Sequence, residues 1–303
     1  MTDASPSLIG QQPLITALAK AASGEVAYGH AYLFSGSDAV TLAAVAGWFR
    51  TYLVCAVPKG TNPCGTCAGC RSSLHDDGVW TYTLARQPDE TSHSVEQIRS
   101  IRQFVGLRPV TRGRRVVLLD SADTLRGPAA NALLKNLEEP GEALVFILTA
   151  QSAGAVLPTI RSRAMQVRLQ PVPNALLIKA LVAAGYTHSA AEFATQLFPG
   201  QAGRSVALLE NREAYDLFHG LHRTLAHWST LPTAQRLAVA TAALQGSTET
   251  AAQRQRVQDA LMLIARDTAT NPGTLRALLD ACLALRTNAQ PKLIFDAFAL
   301  ATS

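Results

Sequence analysis

The chain has 303 residues, 48% of them hydrophobic, and 27 Lys and Arg against 22 Asp and Glu give a formal net charge of +5. That length exceeds one small domain and points to roughly two or three. No run of about 18 apolar residues could span a bilayer, and the opening MTDASPSLIG lacks the basic and apolar regions of a signal peptide. A soluble cytoplasmic protein with no membrane partner is expected, and its mild basicity permits a nucleic-acid partner without arguing for one.

The segment HAYLFSGSDAVTLAAVAGWF, residues 30–49, reads as a buried strand, a glycine turn and a helix. This is the setting of a phosphate-binding loop of the form G-x-x-x-x-G-K-[ST]. The pattern begins at Gly36, but Thr41 stands at the second glycine, Leu42 at the lysine and Ala43 at the magnesium-binding hydroxyl. Asp38 would bring negative charge to a helix N-terminus where phosphate otherwise sits. The frame is present and the nucleotide-binding groups are missing, so no ATP is expected in cis.

Next come Cys55, Cys64, Cys67 and Cys70, spaced C-x8-C-x2-C-x2-C within sixteen residues. Without an export signal, clustered thiols read as a metal site rather than disulfides. Four thiolates suit a tetrahedral structural Zn²⁺ with no open position, a redox dithiol or an iron–sulfur site being the alternatives. His75 is a possible substitute ligand. Cys282, in an apolar helical pattern, reads as a core thiol.

AYLF (31–34), RVVLLD (115–120) and ALVFILTA (143–150) have the continuous apolar character of parallel strands buried on both faces. VWTYTL (79–84) and MQVRL (165–169) are weaker strand candidates. Residues 94–107 form a helix opened by a Ser94/Gln97 capping box, and residues 127–141 a second helix stopped at Pro140-Gly141. Arg99, Arg102, Arg108, Arg112, Arg114 and Arg115 share a stretch free of acids. It reads either as a solvated helix face with a basic loop or as a phosphate-contacting surface. Asp120 ends its strand as a Walker B aspartate does, followed by Ser121 where an ATPase commonly carries glutamate. Beyond Pro173 only helical periodicity is found. The expected fold is α/β plus all-α: a parallel-sheet domain over 1–171 with a zinc insertion at 55–70, a small helical unit over 172–212 and a helical bundle over 213–303.

The degenerate loop, the four-cysteine module, NALLKNLEEPGEALVFILTA and LPTIRSR together resemble the AAA+ clamp-loader family, and within it the delta prime subunits of bacterial DNA polymerase III. The resemblance implies an AAA+ domain, a helical lid and a C-terminal oligomerisation collar. It also implies a role in loading the sliding clamp on primed DNA, with gamma/tau and delta subunits as partners. By the same resemblance Ser162-Arg163-Ala164 stands for a Ser-Arg-Cys motif whose arginine, Arg163, is a finger for a neighbour's ATP, with Arg161 a nearby rival. Thr149 matches sensor 1 or caps its strand, and residues 200–204 match sensor 2 or start a helix. The alternatives are an active gamma/tau-type ATPase, which the loop opposes, and a zinc-dependent nucleic-acid-binding module.

Overall fold

The structure, a computed structural model, describes residues 8–302 except 25–28, 77, 87–91, 107–113, 140–142, 226, 245–249, 269–271, 286 and 288. The chain divides into two compact units, Met1–Ala207 and Leu208–Ser303. Along the first run α1 (Gln12–Ser23), β1 (Ala31–Ser35), α2 (Ala39–Val54), α3 (Ala68–His75), β2 (Thr81–Leu84), α4 (Val95–Gly106) and β3 (Arg115–Leu119). There follow α5 (Gly127–Glu138), β4 (Leu144–Ala150), α6 (Pro158–Arg161), β5 (Met165–Arg168), α7 (Asn174–Ala183), α8 (His188–Leu197) and α9 (Ala202–Glu210), inside which the division falls.

The five strands form one parallel sheet in the order β2-β3-β4-β1-β5. This is the parallel-sheet class implied by the AAA+ resemblance, and each expected strand is present within two residues of its expected ends. All residues of β1, β3 and β4 are buried, which explains their unbroken apolar sequence. The period of two still sorts them: Tyr32 and Phe34 face α1 and α2, whereas Ala31 and Leu33 join the core beneath α4 and α5. Phe49 of α2 meets the Tyr32 and Phe34 rings edge-on at 5.0 and 5.8 Å. Each such fully buried ring contributes on the order of 1.5–3 kcal/mol.

Helix α4 opens on the expected capping box: Ser94 N–H donates to Gln97 Oε1 (2.6 Å) and Gln97 N–H to Ser94 Oγ (3.2 Å). Helix α5 ends at Glu138, and the Pro140-Gly141 stop lies outside the described residues.

In the second unit, α10 (Arg212–Leu225), α11 (Thr233–Ala243), α12 (Thr250–Thr268), α13 (Pro272–Ala284) and α14 (Pro291–Ala301) pack together, with no strand among the described residues. Its core holds Trp228 against Phe295 and Phe298, with ring centroids 5.9 and 5.4 Å apart. The indole N–H donates to Thr302 Oγ1 at 3.0 Å, satisfying the one polar atom of that buried ring. No helix of the described residues is long and apolar enough to cross a membrane.

Candidate functional site

Between β1 and α2 the chain makes the loop expected at Gly36. Gly36 sits close to Leu169, and a Cβ there would lie 3.1 Å from Leu169 Cβ, tighter than an ordinary contact. Asp38 is the N-cap of α2, its Oδ1 accepting from the N–H groups of Val40 and Thr41, both at 3.2 Å. Its Oδ2 accepts from Thr41 Oγ1 at 2.6 Å and from Gly203 N–H at 2.8 Å, and the same Gly203 N–H lies 2.9 Å from Thr41 Oγ1. Gly203 lies in the first turn of α9, so one buried carboxylate joins the N-termini of two helices. Helix N-termini carry unpaired N–H donors and partial positive charge, which a phosphate commonly satisfies. Here Asp38 satisfies three of them, those of Val40, Thr41 and Gly203.

The substitutions at the loop's other positions are consistent with that closure. Thr41 is buried and supplies a hydroxyl to the Asp38 network, Leu42 is buried in the α1/α2 core, and Ala43 is exposed. A Cβ on Gly203 would meet Thr41 N at 2.5 Å and Val40 Cβ at 2.8 Å, so only glycine lets α9 approach this closely. The space left beside the loop, bounded by Leu169, Val172 and Ala202 among others, is about 10 Å³. That is the threshold for a single water.

At the end of β3, Asp120 Oδ1 accepts from Thr149 Oγ1 at 2.5 Å and Oδ2 from Ser121 Oγ at 3.1 Å. The two positions singled out as Walker B and sensor 1 are thus hydrogen-bonded to each other across neighbouring strands. Residues 200–204 lead into α9, which starts at Ala202: Gly200 takes φ +73° and Arg204 lies over the Phe198 ring at 4.0 Å.

Arg163 follows α6 and is exposed. Its Nη2 pairs with Glu138 Oε1 at 2.8 Å and its Nη1 donates to Thr159 O at 3.1 Å. Ser162 Oγ donates to Thr159 O at 3.1 Å, while Arg161 donates to Ala153 O at 3.4 Å.

The four sulfurs of Cys55, Cys64, Cys67 and Cys70 lie within 4.8 Å of one another. Tetrahedral Zn–S bonds of about 2.3 Å require sulfurs roughly 3.8 Å apart, and Cys64 and Cys70 already stand at 3.9 Å. Backbone N–H groups aim at the sulfurs, from Cys64 to Cys55 (3.2 Å), Cys67 to Cys64 (3.4 Å) and Cys70 to Cys67 (3.4 Å). Those of Thr66 and Cys67 pull the Cys64 thiol down to about 6, whereas burial pushes Cys70 up. The donor set fits a thiolate-bound cation, and the cluster can hold a metal ion. His75, at the exposed end of α3, is outside it.

Local packing explains the module's shape. Gly65, at φ +75°, turns the chain between two ligands. Trp48 and Tyr52 of α2 donate to Thr61 O and Gly60 O, both at 3.0 Å. A Cβ on Gly69 would collide with Val54 O at 2.0 Å, so α3 can seat its cysteine against the end of α2. Helix α2, with 16 residues, spans roughly 24 Å, and holds the cysteines at the opposite end from Asp38.

The arginine stretch is not one surface. Arg115 is buried in β3, with its guanidinium 3.8 Å from the Phe104 ring centroid and bonded to Phe104 O. Arg114 donates to Ala22 O at 2.8 Å and Arg99 is exposed, while Arg108 and Arg112 lie outside the described residues. Burial of Arg115 therefore removes that residue from both sequence readings of the stretch. Sequence reasoning placed Gly203 within the 200–204 stretch but missed its contact with Asp38, 165 positions away, and it did not single out Glu138 at the end of α5.

Residues 10–173 match the family described as DNA polymerase III, delta subunit. The chain is 35% identical over 155 residues to the DNA polymerase III subunit delta' of Pseudomonas aeruginosa, covering 50% of this chain and 46% of that one. It is 31% identical over 179 residues to the delta' subunit of Escherichia coli K12, covering 58% and 51%. With the tau/gamma subunit of Haemophilus influenzae it shares 33% over 164 residues, 54% of this chain and 23% of the other. The matches thus span about half the length of the delta' relatives. In fold, the chain is similar to a DNA polymerase III gamma subunit-related protein of Thermotoga maritima, with a TM-score of 0.55 at 18% identity over 96% and 98% of the two chains. The family match extends over more than half of the chain and takes in the loop, the cysteine module, Asp120 and Arg163: this chain belongs to the DNA polymerase III, delta subunit family and is delta-prime-like within it.

Proposed function

We propose that the chain is a non-hydrolysing subunit of a DNA polymerase III clamp loader, acting on a neighbour's ATP rather than binding its own. The observation that carries this reading is Asp38, whose carboxylate occupies the N-terminus of α2 and ties it to Gly203. A triphosphate would have to displace a buried anion and separate α9 from the loop, and would find neither lysine nor magnesium-binding hydroxyl at Leu42 and Ala43. A gamma/tau-type ATPase, the other kind of relative at similar identity, is disfavoured by those same residues.

In this reading Arg163 is supplied to ATP on a gamma/tau neighbour. Its planar, permanently charged fork suits a γ-phosphate, and its exposure suits a group acting across an interface. The four cysteines hold a structural Zn²⁺. Residues 172–212 serve as the lid and 213–303 as the collar, consistent with Leu275, Leu279 and Leu283 exposed along one face of α13. With delta and gamma/tau subunits the assembly would load the sliding clamp on primed DNA in the cytoplasm.

The test is Arg163→Ala in the reconstituted loader, measured as ATP hydrolysis stimulated by clamp and primed DNA. Loss of about 10³-fold or more in the rate assigned to the adjoining site, the scale of arginine fingers, with assembly unchanged, is expected. Unchanged hydrolysis would remove Arg163 from the role.

A further inference from the structure

Helix α5 ends in Glu138 followed by Glu139. The C-terminus of a helix carries partial negative charge and favours cations, so acids there break a local rule. Such departures are expected where another interaction is being served. For Glu138 that interaction is an ion pair: its Oε1 accepts from Arg163 Nη2 at 2.8 Å.

Arg163 is held at several points. Its backbone N–H donates to Ile160 O at 3.1 Å, its Nη1 to Thr159 O at 3.1 Å, and its Nη2 meets Glu138. Both partners are partly exposed, 39% for the arginine side chain and 49% for the glutamate. An ion pair that open adds little to folding stability. Its consequence is geometric: a long side chain that would otherwise sample many rotamers is fixed in direction. A guanidinium has five N–H donors, and the contacts to Thr159 and Glu138 engage two of its N–H bonds, leaving others for an incoming anion.

We infer that Glu138 is a positioning residue for Arg163, holding the guanidinium pre-aimed through the Glu138 Oε1 and Thr159 O contacts so that it meets the neighbour's phosphate with little reordering. The inference rests on the reading of Arg163 as a finger supplied to a neighbouring ATP site. A positioned group gains its effect by removing orientation cost before the reaction, so loss of Glu138 should lower turnover rather than ATP affinity.

The experiment is a double-mutant cycle in the reconstituted loader, using Glu138→Ala, Arg163→Ala and the pair, with clamp- and DNA-stimulated ATPase read as kcat and KM and assembly checked by gel filtration. Expected are a fall in kcat of roughly tenfold for Glu138→Ala, an unchanged KM, and no further loss when it is added to Arg163→Ala. Glu138→Asp should recover part of the rate. If Arg163→Ala lowers turnover and Glu138→Ala leaves it unchanged, raises it, or adds independently, the positioning role is overturned and the finger stands. If Arg163→Ala itself has no effect, the finger reading falls and this inference with it.

Discussion

The N–H of Gly203 lies 2.8 Å from Asp38 Oδ2 and 2.9 Å from Thr41 Oγ1, joining residues 165 and 162 positions apart. The start of α9 is thereby bonded to the start of α2. The approach depends on the missing side chain, because a Cβ would sit 2.5 Å from Thr41 N. Gly203→Ala should destabilise the first unit by about 1–3 kcal/mol, the usual cost of overpacking a tight contact. A urea titration followed by circular dichroism reads this as a lower midpoint at similar slope, and an unchanged midpoint would show that α9 does not need the contact.

Asp38→Ala removes the acceptor for Val40 N, Thr41 N, Thr41 Oγ1 and Gly203 N. Loss of the N-cap alone costs about 1 kcal/mol, and buried donors left unsatisfied add about 1–3 kcal/mol. Asp38→Asn, which keeps an acceptor and can still cap the helix, should cost less. Denaturant unfolding of the two variants side by side checks the order, and equal losses would argue that the negative charge rather than the acceptor matters.

Zinc content near one ion per chain is expected when the protein is purified without added metal, from the Cys55, Cys64, Cys67 and Cys70 cluster. Removal by a strong chelator should open residues 55–70 to limited proteolysis while leaving the parallel sheet, which has its own apolar core. Elemental analysis and mass mapping of the cleavage sites check both parts. A protein with no bound zinc and no change in cleavage would exclude the metal role.

Restoring the phosphate-loop residues alone should not restore nucleotide binding. In a Thr41→Gly, Leu42→Lys, Ala43→Thr variant, Asp38 still occupies the helix N-terminus, and the new lysine starts from a position buried in the core. Burial of an amine without a partner is costly, so the variant should be less stable and still fail to bind Mg-ATP by calorimetry. Micromolar binding by this variant would show that Asp38 and Gly203 open readily.

The sheet was legible because β1, β3 and β4 are buried on both faces and must be apolar throughout. The capping box at Ser94 and the cysteine cluster were legible because each is a local pattern, closed within a few residues. Asp38 belongs to the same class, an acid directly before a helix. Gly203 was not legible: its partners are set by how α9 packs in the tertiary fold. Arg115 carried two readings, the first residue of a buried strand and the last of the arginine stretch, and the strand holds. The Arg115 guanidinium lies over the Phe104 ring, and the Phe104 carbonyl accepts from it.

The proposed function turns on the loop from Gly36 to Ala43, closed by the chain's own carboxylate. The most direct measurement is an equilibrium titration of the isolated chain with a fluorescent ATP analogue and Mg²⁺, read by anisotropy. No saturable binding up to about millimolar nucleotide, a standard free energy weaker than about −4 kcal/mol, is the predicted result. Saturation in the micromolar range would contradict the account, because it would require Asp38 and Gly203 to give way to a triphosphate without help from a lysine.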